Sequence, residues 1–245
     1  MSQIMKASIS FFTAFSMLIG TSGFTAAAAP VTNTEPGGSQ IIKIPCGMAN
    51  CYLIVGKDQC ILVDTAGASS RKKVYAAVKN FKVTLIILTH GHYDHSQNAA
   101  FLAEKFGAKI AMSKVDFELI ANPSAQKAAG RTILQKLSGL FSNLFSSAIK
   151  IDSFEPDFYL ADGQSLADYG VEGKIVELKG HTKGSIGILL NNGKDFIVGD
   201  ALMNFFKVTE PFLFENYDDL CRSMNIIKDT GADVYPGHGK SYSQA

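Results

Sequence analysis

Past residue 40 the chain opens on short apolar runs broken by polar residues: IIKIP, CYLIVG and CILVDTAG, with Gly56, Lys57 and Asp58 between the second and third. Apolar runs of this length, flanked by turn residues, read as strands. The period then changes. SSRKKVYAAVKNF puts Val74, Ala77 and Val78 on one helical face, with Ser69 or Ser70 placed to cap its N-terminus. VTLIIL returns to an unbroken apolar run, as expected of a strand covered on both faces. NAAFLAEKFG is helical again, with Gly107 as its stop. The second half repeats the style. SIGILLNNGKDFIVGD predicts a hairpin turning at Asn192 and Gly193, and it ends in Asp200 much as the earlier hairpin ends in Asp64. YDDLCRSMNIIKDTG predicts a closing helix with Leu220, Met224 and Ile227 inward and Gly231 as its end. The pattern is that of an α/β domain whose two βα halves face each other.

Two stretches stand apart from this alternation. Residues 1–29 read as an export signal: Lys6 is a minimal basic start, ASISFFTAFSMLIG is apolar but short, and TAAAAP offers a cleavage site after Ala28. Cleavage leaves no stable membrane insertion and an exported, periplasmic or secreted protein; an uncleaved segment would anchor it. Residues 30–40 form a flexible lead-in, and 41–245 the domain itself. Within it, a helical insertion over about 122–160 carries Leu134, Leu137, Phe141, Leu144 and Phe145 at helical spacing, either as a packed cap on the core or as a lid over a substrate cleft.

Composition narrows the partners. The chain of 245 residues is 47% hydrophobic and 18% charged, with a net charge of +1 and no basic block. Nucleic acid is therefore excluded as a partner, because phosphate neutralisation needs clustered Lys and Arg. The four cysteines, Cys46, Cys51, Cys60 and Cys221, lack zinc-ribbon spacing. Cys51 and Cys60 read as small apolar residues inside strands.

The histidines carry the chemistry. All five lie in three loops that follow apolar runs: THGHYDH with His90, His92 and His95, KGHTKGS with His181, and YPGHGK with His238. Asp94 stands inside the first loop, and Asp200 ends the run FIVGD. A carboxylate buried at a strand end needs a counter-charge, and a cation supplies it. A tight turn through Gly91 points His90 and His92 one way while Asp94 and His95 project from the next turn, which makes two pockets. Imidazole and carboxylate donors without thiolate suit zinc and related divalent ions, with coordination positions left for water. Two adjacent ions can share a hydroxide that is nucleophilic at neutral pH.

The order H-x-H-x-D-H, GHTKGS, GD, GHG resembles the metallo-β-lactamase-fold hydrolase superfamily across the whole mature chain. The resemblance implies a four-layer αββα sandwich with the metal site at the strand-end edge. It implies one metal on His90, His92 and His181, a second on Asp94, His95 and His238, and Asp200 bridging them, so that Asp94 and Asp200 serve catalysis as well as binding. It also implies that Asp64 orients a ligand histidine, although a turn role fits that residue too. Two divalent ions, zinc foremost, and a small-molecule substrate follow.

Departures from better-known branches narrow the reaction. Asp rather than Cys at position 200 looks more like the thioesterase, lactonase and phosphodiesterase branches than like one β-lactamase subclass. His92 rather than Glu favours zinc over iron. The chain ends seven residues after His238, so the C-terminal glutathione-holding region of glyoxalase II is not expected. The expected activity is hydrolysis of an ester, thioester or lactone through a metal-bridging hydroxide; β-lactamase or phosphodiesterase activity and non-catalytic metal binding are the alternatives. Phe141, Phe145, Phe205, Phe206, Phe212 and Phe214 would shape an acyl pocket or serve the core. Lys183 and Lys240 are the candidates for a phosphate, and Tyr93 and Tyr235 for protonating a leaving group.

Overall fold

The computed structural model describes residues 38–122, 125, 129–133, 135–137, 140 and 150–244. The expected signal, most of the lead-in, and Leu134, Phe141, Leu144 and Phe145 of the insertion lie outside the described residues. Among those described, no helix is long and apolar enough to cross a membrane.

The first half runs β1 (Gln40–Cys46), β2 (Ala49–Val55), β3 (Cys60–Val63), α1 (Arg71–Val78), β4 (Val83–Ile87), α2 (Tyr93–Ser96), α3 (Ala99–Phe106), β5 (Lys109–Ser113), α4 (Phe117–Ala121) and β6 (Phe158–Leu160). β1, β2 and β3 pair antiparallel through tight connections, whereas β3, β4, β5 and β6 pair parallel because helical crossovers return the chain to the same edge. The second half runs β7 (Gly173–Glu177), β8 (Ile186–Leu190), β9 (Asp195–Asn204), β10 (Val208–Thr209), α5 (Tyr217–Thr230) and β11 (Asp233–Gly239). One sheet of eleven strands results, in the order β6-β5-β4-β3-β2-β11-β9-β8-β7, with β1 on β2 and β10 on β9. Its two halves join where β11 meets β2, at His238 opposite Ala49.

Strand alternation builds the layers. Tyr52, Ile54, Ile61, Val63, Leu85 and Ile87 of the first half and Ile175, Ile186, Ile188 and Ile197 of the second fill one shared core. The opposite faces carry Leu53, Leu62 and Ile86 against Val74, Val78 and Leu102 of the helices, and Phe196, Val198 and Val234 against Ile227 of α5. Helices outside and two sheet halves inside make the expected αββα sandwich.

Most expected elements stand where the pattern puts them, with specific differences. α1 buries Val74 and Val78, but Ala77 is exposed, because an eight-residue helix presents only the narrow i, i+4 stripe to the sheet. Ser70 occupies its N-cap position without a capping hydrogen bond. Phe158–Leu160, assigned to the end of the insertion, pair with β5 as an edge strand, since Asp157 anchors the chain there by accepting from the Ile110 N–H at 2.8 Å. Gly107 and Gly231 end their helices in the left-handed conformation, as expected. Cys51 and Cys60 are buried free thiols, and Cys46 Sγ lies 3.8 Å from Cys51 Sγ.

Candidate metal centre

The residues expected to bind metal come from the loop after β4 and the helix α2 that follows it, from the middle of β9, from near the end of β11 and from the loop before β8. The chain leaves β4 into His90, turns at Gly91, and enters α2, which carries Asp94 and His95. Across the sheet seam, β9 delivers Asp200 and β11 delivers His238, while the turn ahead of β8 delivers His181. His90, His95, His181, Asp200 and His238 are buried. Asp94 and His92 are partly open.

The donor atoms fall into three overlapping groups that could hold a metal ion: His90, His92 and His181; Asp94, His95 and His238; and His90, His95 and Asp200, each within 4.8 Å. His92 Nδ1 lies 3.0 Å from His90 Nε2 and 3.0 Å from His181 Nε2. His238 Nε2 lies 3.4 Å from His95 Nε2 and 3.5 Å from Asp94 Oδ2. Asp200 stands between the groups, with Oδ1 at 3.5 Å from His95 Nε2 and Oδ2 at 3.5 Å from His181 Nε2 and 3.1 Å from His238 Nε2.

The surrounding hydrogen bonds set the direction of the lone pairs. His181 Nδ1–H donates to the Leu213 carbonyl at 2.9 Å, and His238 Nδ1–H to the Met48 carbonyl at 2.9 Å. Carbonyls only accept, so Nδ1 keeps a proton in both rings and Nε2 is the atom left facing inward, free to bind a metal ion once it carries no proton. His95 Nδ1–H donates to Asp64 Oδ2 at 2.8 Å, with the same result. Asp64 also accepts from the Thr89 N–H and hydroxyl, each at 2.8 Å. With its own proton committed to Asp64, Thr89 Oγ1 accepts from His90 Nδ1 at 3.0 Å. Asp64 thus touches His95 directly and reaches His90 through Thr89. It holds this place with φ at +59°, a conformation that Asp tolerates better than most side chains.

Electrostatics favour a cation. Burial and the facing His95 and His92 rings push His90 well below its ordinary range, and burial holds His181 down to about 4, so both are neutral donors at pH 7. Burial opposes ionisation of Asp200, yet His238, His95 and His181 outweigh it and keep the carboxylate charged. Burial also opposes a charge on His95, but Asp200, Asp64 and Asp94 raise it to about 10; the same balance raises His238. The carboxylates therefore impose positive charge on this pocket. Asp200 Oδ1 is fully buried and accepts no hydrogen bond, as a carboxylate oxygen directed at an ion would be. Gly237 completes the space: a Cβ there would fall 2.1 Å from Asp200 Oδ1 and 3.0 Å from His95 Cε1.

The family model for the metallo-beta-lactamase superfamily matches residues 44–240. The chain belongs to this superfamily. Among its metallo-beta-lactamase relatives, a hydroxyacylglutathione hydrolase from Haemophilus influenzae is 28% identical over 210 residues, covering 82% of this chain and 90% of its own. A probable metallo-hydrolase from Methanocaldococcus jannaschii is 26% identical over 200 residues, covering 78% and 88%. A metallo-beta-lactamase family protein from Thermus thermophilus superposes with a TM-score of 0.63 at 22% identity, over 86% of this chain and 76% of that one. A protein solved in a di-iron-bound form superposes at 0.58 and 20% identity, over 82% and 91%. The chain is thus a hydrolase of the metallo-beta-lactamase superfamily, with His and Asp clusters suited to metal.

Other expectations divide. Tyr235 is withdrawn from leaving-group chemistry: its ring packs edge-on against Tyr52 in the shared core and its hydroxyl donates to Asp195 at 2.8 Å, near the start of β9. Tyr93 stays exposed beside Asp94. Phe205, Phe206 and Phe212 do not serve the core: all three are exposed, whereas Phe214 is buried. Sequence reasoning missed Asp116, a buried carboxylate that contacts two of the histidine loops. Nothing in KVDFEL distinguishes it from an ordinary helix-capping Asp.

Proposed function

We propose that this protein is a dinuclear zinc hydrolase of small acyl compounds, with thioesters ahead of esters and lactones. The carrying observation is the convergence of imidazole nitrogens, four of the rings oriented by hydrogen bonds on the far ring nitrogen, around the buried Asp200 carboxylate with its unsatisfied Oδ1. His90, His92 and His181 would hold one ion and Asp94, His95 and His238 the other, with Asp200 between them. The donor set is nitrogen and oxygen without thiolate, which zinc accepts readily. When bound, such ions supply an activated water nucleophile and polarise the scissile carbonyl.

The residues of the chain do the rest. Asp64 and the Leu213 and Met48 carbonyls fix ring orientation, so the donors need no reorganisation on loading. Asp94, half-open at the mouth, is placed to accept a proton on the substrate side. Exposed apolar residues lie next to the histidine-bearing segments. The Phe205 ring lies 6.0 Å from the His238 ring at a tilt of 43°, Phe206 beside it in the chain is fully exposed, Phe212 precedes the residue whose carbonyl holds His181, and the Met48 carbonyl holds His238. Exposed apolar groups on both sides of a polar centre suit an acyl chain with its carbonyl at the centre. The Haemophilus relative is named for a thioester substrate, and this chain covers 90% of it, so a thioesterase fits within this length of chain.

A phosphodiester is less well served. Lys183, its best candidate cation, donates its backbone N–H to Glu215 at 2.8 Å and keeps its ammonium 3.9 Å from the same carboxylate. The test is metal content of the purified protein together with turnover of an acyl thioester, a homoserine lactone, nitrocefin and a phosphodiester. Two zinc ions per chain with thioester turnover is the expected result; turnover of nitrocefin or the phosphodiester alone would overturn the acyl reading.

A further inference from the structure

Asp116 stands at the N-cap position of α4, where an Asp ordinarily binds the first free N–H groups of its own helix; here it makes no such bond. Its carboxylate turns away into the site. Oδ2 accepts from the Gly91 N–H at 2.9 Å and from the Thr182 hydroxyl at 2.7 Å, and Oδ1 accepts from the Gly184 N–H at 2.7 Å. Gly91 lies between His90 and His92, and Thr182 follows His181. One buried carboxylate therefore joins the two loops that carry this triad of imidazoles. Both loops are shaped to admit it: a Cβ on Gly184 would lie 2.5 Å from Asp116 Oδ1, and one on Gly91 would lie 2.7 Å from the Asp116 carbonyl oxygen. Ser185 extends the contact, its hydroxyl 2.6 Å from Thr182 Oγ1.

We infer that Asp116 is a positioning residue for the His90, His92 and His181 ion, setting the spacing of its three donors by clamping their loops, and that it affects the Asp94, His95 and His238 ion less. The inference rests on the two-ion reading above. The clamp acts most directly on the first triad, because Gly91 lies between His90 and His92 and Thr182 follows His181, whereas Asp94 and His95 lie further along the first loop, in α2, and His238 on β11. Asp116→Asn keeps the shape but replaces one acceptor oxygen with an N–H donor, so at least one of Gly91 N–H, Gly184 N–H and Thr182 loses its acceptor.

The experiment is competitive zinc titration of the full chain against a chromophoric chelator, with the cobalt-substituted absorption spectrum and the melting of the metal-free protein alongside. The parent is expected to bind two ions. Asp116→Asn is expected to bind one with near-parental affinity and the other about 10- to 100-fold more weakly, with an altered cobalt spectrum. Thr182→Val removes one of the three donors and is expected to weaken the same ion by less, which keeps the test available if Asp116→Asn does not fold. Two ions bound at parental affinity in both variants, or equal weakening of both ions, would overturn the clamp while leaving the two-ion reading standing. A parent that takes up no ion would overturn both.

Discussion

Replacing Asp64 by Asn isolates one consequence of the tautomer argument. The backbone there has φ at +59°, which Asn adopts as readily as Asp, so the turn survives. The buried carboxylate accepts three hydrogen bonds of 2.8 Å, from Thr89 N–H, Thr89 hydroxyl and His95 Nδ1. An amide has one acceptor oxygen. If that oxygen keeps the Thr89 N–H, the new N–H faces His95 Nδ1, and the ring satisfies it by moving its proton to Nε2. That atom is the donor aimed at Asp200 and His238. Binding at the Asp94, His95 and His238 position must then return the proton and break the amide contact. A hydrogen bond to a charged group is worth about 1.5–3 kcal/mol, which is roughly 10- to 150-fold in affinity. Zinc titration at pH 7 should show the ion at Asp94, His95 and His238 weakened by that factor, and the His90, His92 and His181 ion less so. Unchanged affinity at both positions, in a variant that melts as the parent does, would refute the assignment of Nε2 as the donor.

Other expectations follow from the same geometry. Asp200→Ala should abolish hydrolysis and lower metal content while the circular dichroism spectrum stays parental; a variant with two ions and full activity would place the bridge elsewhere. His92→Ala should reduce content toward one ion per chain, measured by atomic emission. Gly237→Ala puts a methyl 2.1 Å from Asp200 Oδ1, so activity should fall by orders of magnitude even though alanine disfavours a strand less than glycine does. Phe206→Ser should raise KM for long-chain acyl thioesters and leave short-chain KM and all kcat values near parental; an equal effect on both lengths would detach the ring from substrate binding. Chelation should lower the melting temperature, because an ion at about 100 times its Kd contributes about 2.7 kcal/mol to the folded state.

The strands, the helix stops at Gly107 and Gly231 and the separate motifs THGHYDH, GHTKGS, GD and GHG were legible because each is written in a few neighbouring residues, while the grouping of those motifs into one cluster was legible only through the family resemblance. What stayed hidden is long-range. Asp116 meets Gly184 across 68 positions, and its local sequence is that of any helix start. The hydroxyl of Tyr235 and the exposure of Phe205 and Phe206 depend on which face of β11 and which side of the β9–β10 turn meets the core. Local periodicity does not settle that for single aromatic residues. Asp64 was legible as a residue but not as a hub, since its link to His90 runs through Thr89.

The seam at which His238 sits opposite Ala49 has a mechanical meaning. His90, His92, Asp94 and His95 come from one half of the sandwich, and His181, Asp200 and His238 from the other, so any ion held as proposed is a cross-brace between two half-molecules that share few main-chain ladder bonds at that line. Loading would then be read far from the mouth, as slower hydrogen exchange along β2 and β11, and removal would let the halves breathe at the seam before either loses its own strands. On that account the ions are as much a rivet for the sandwich as a tool for the substrate.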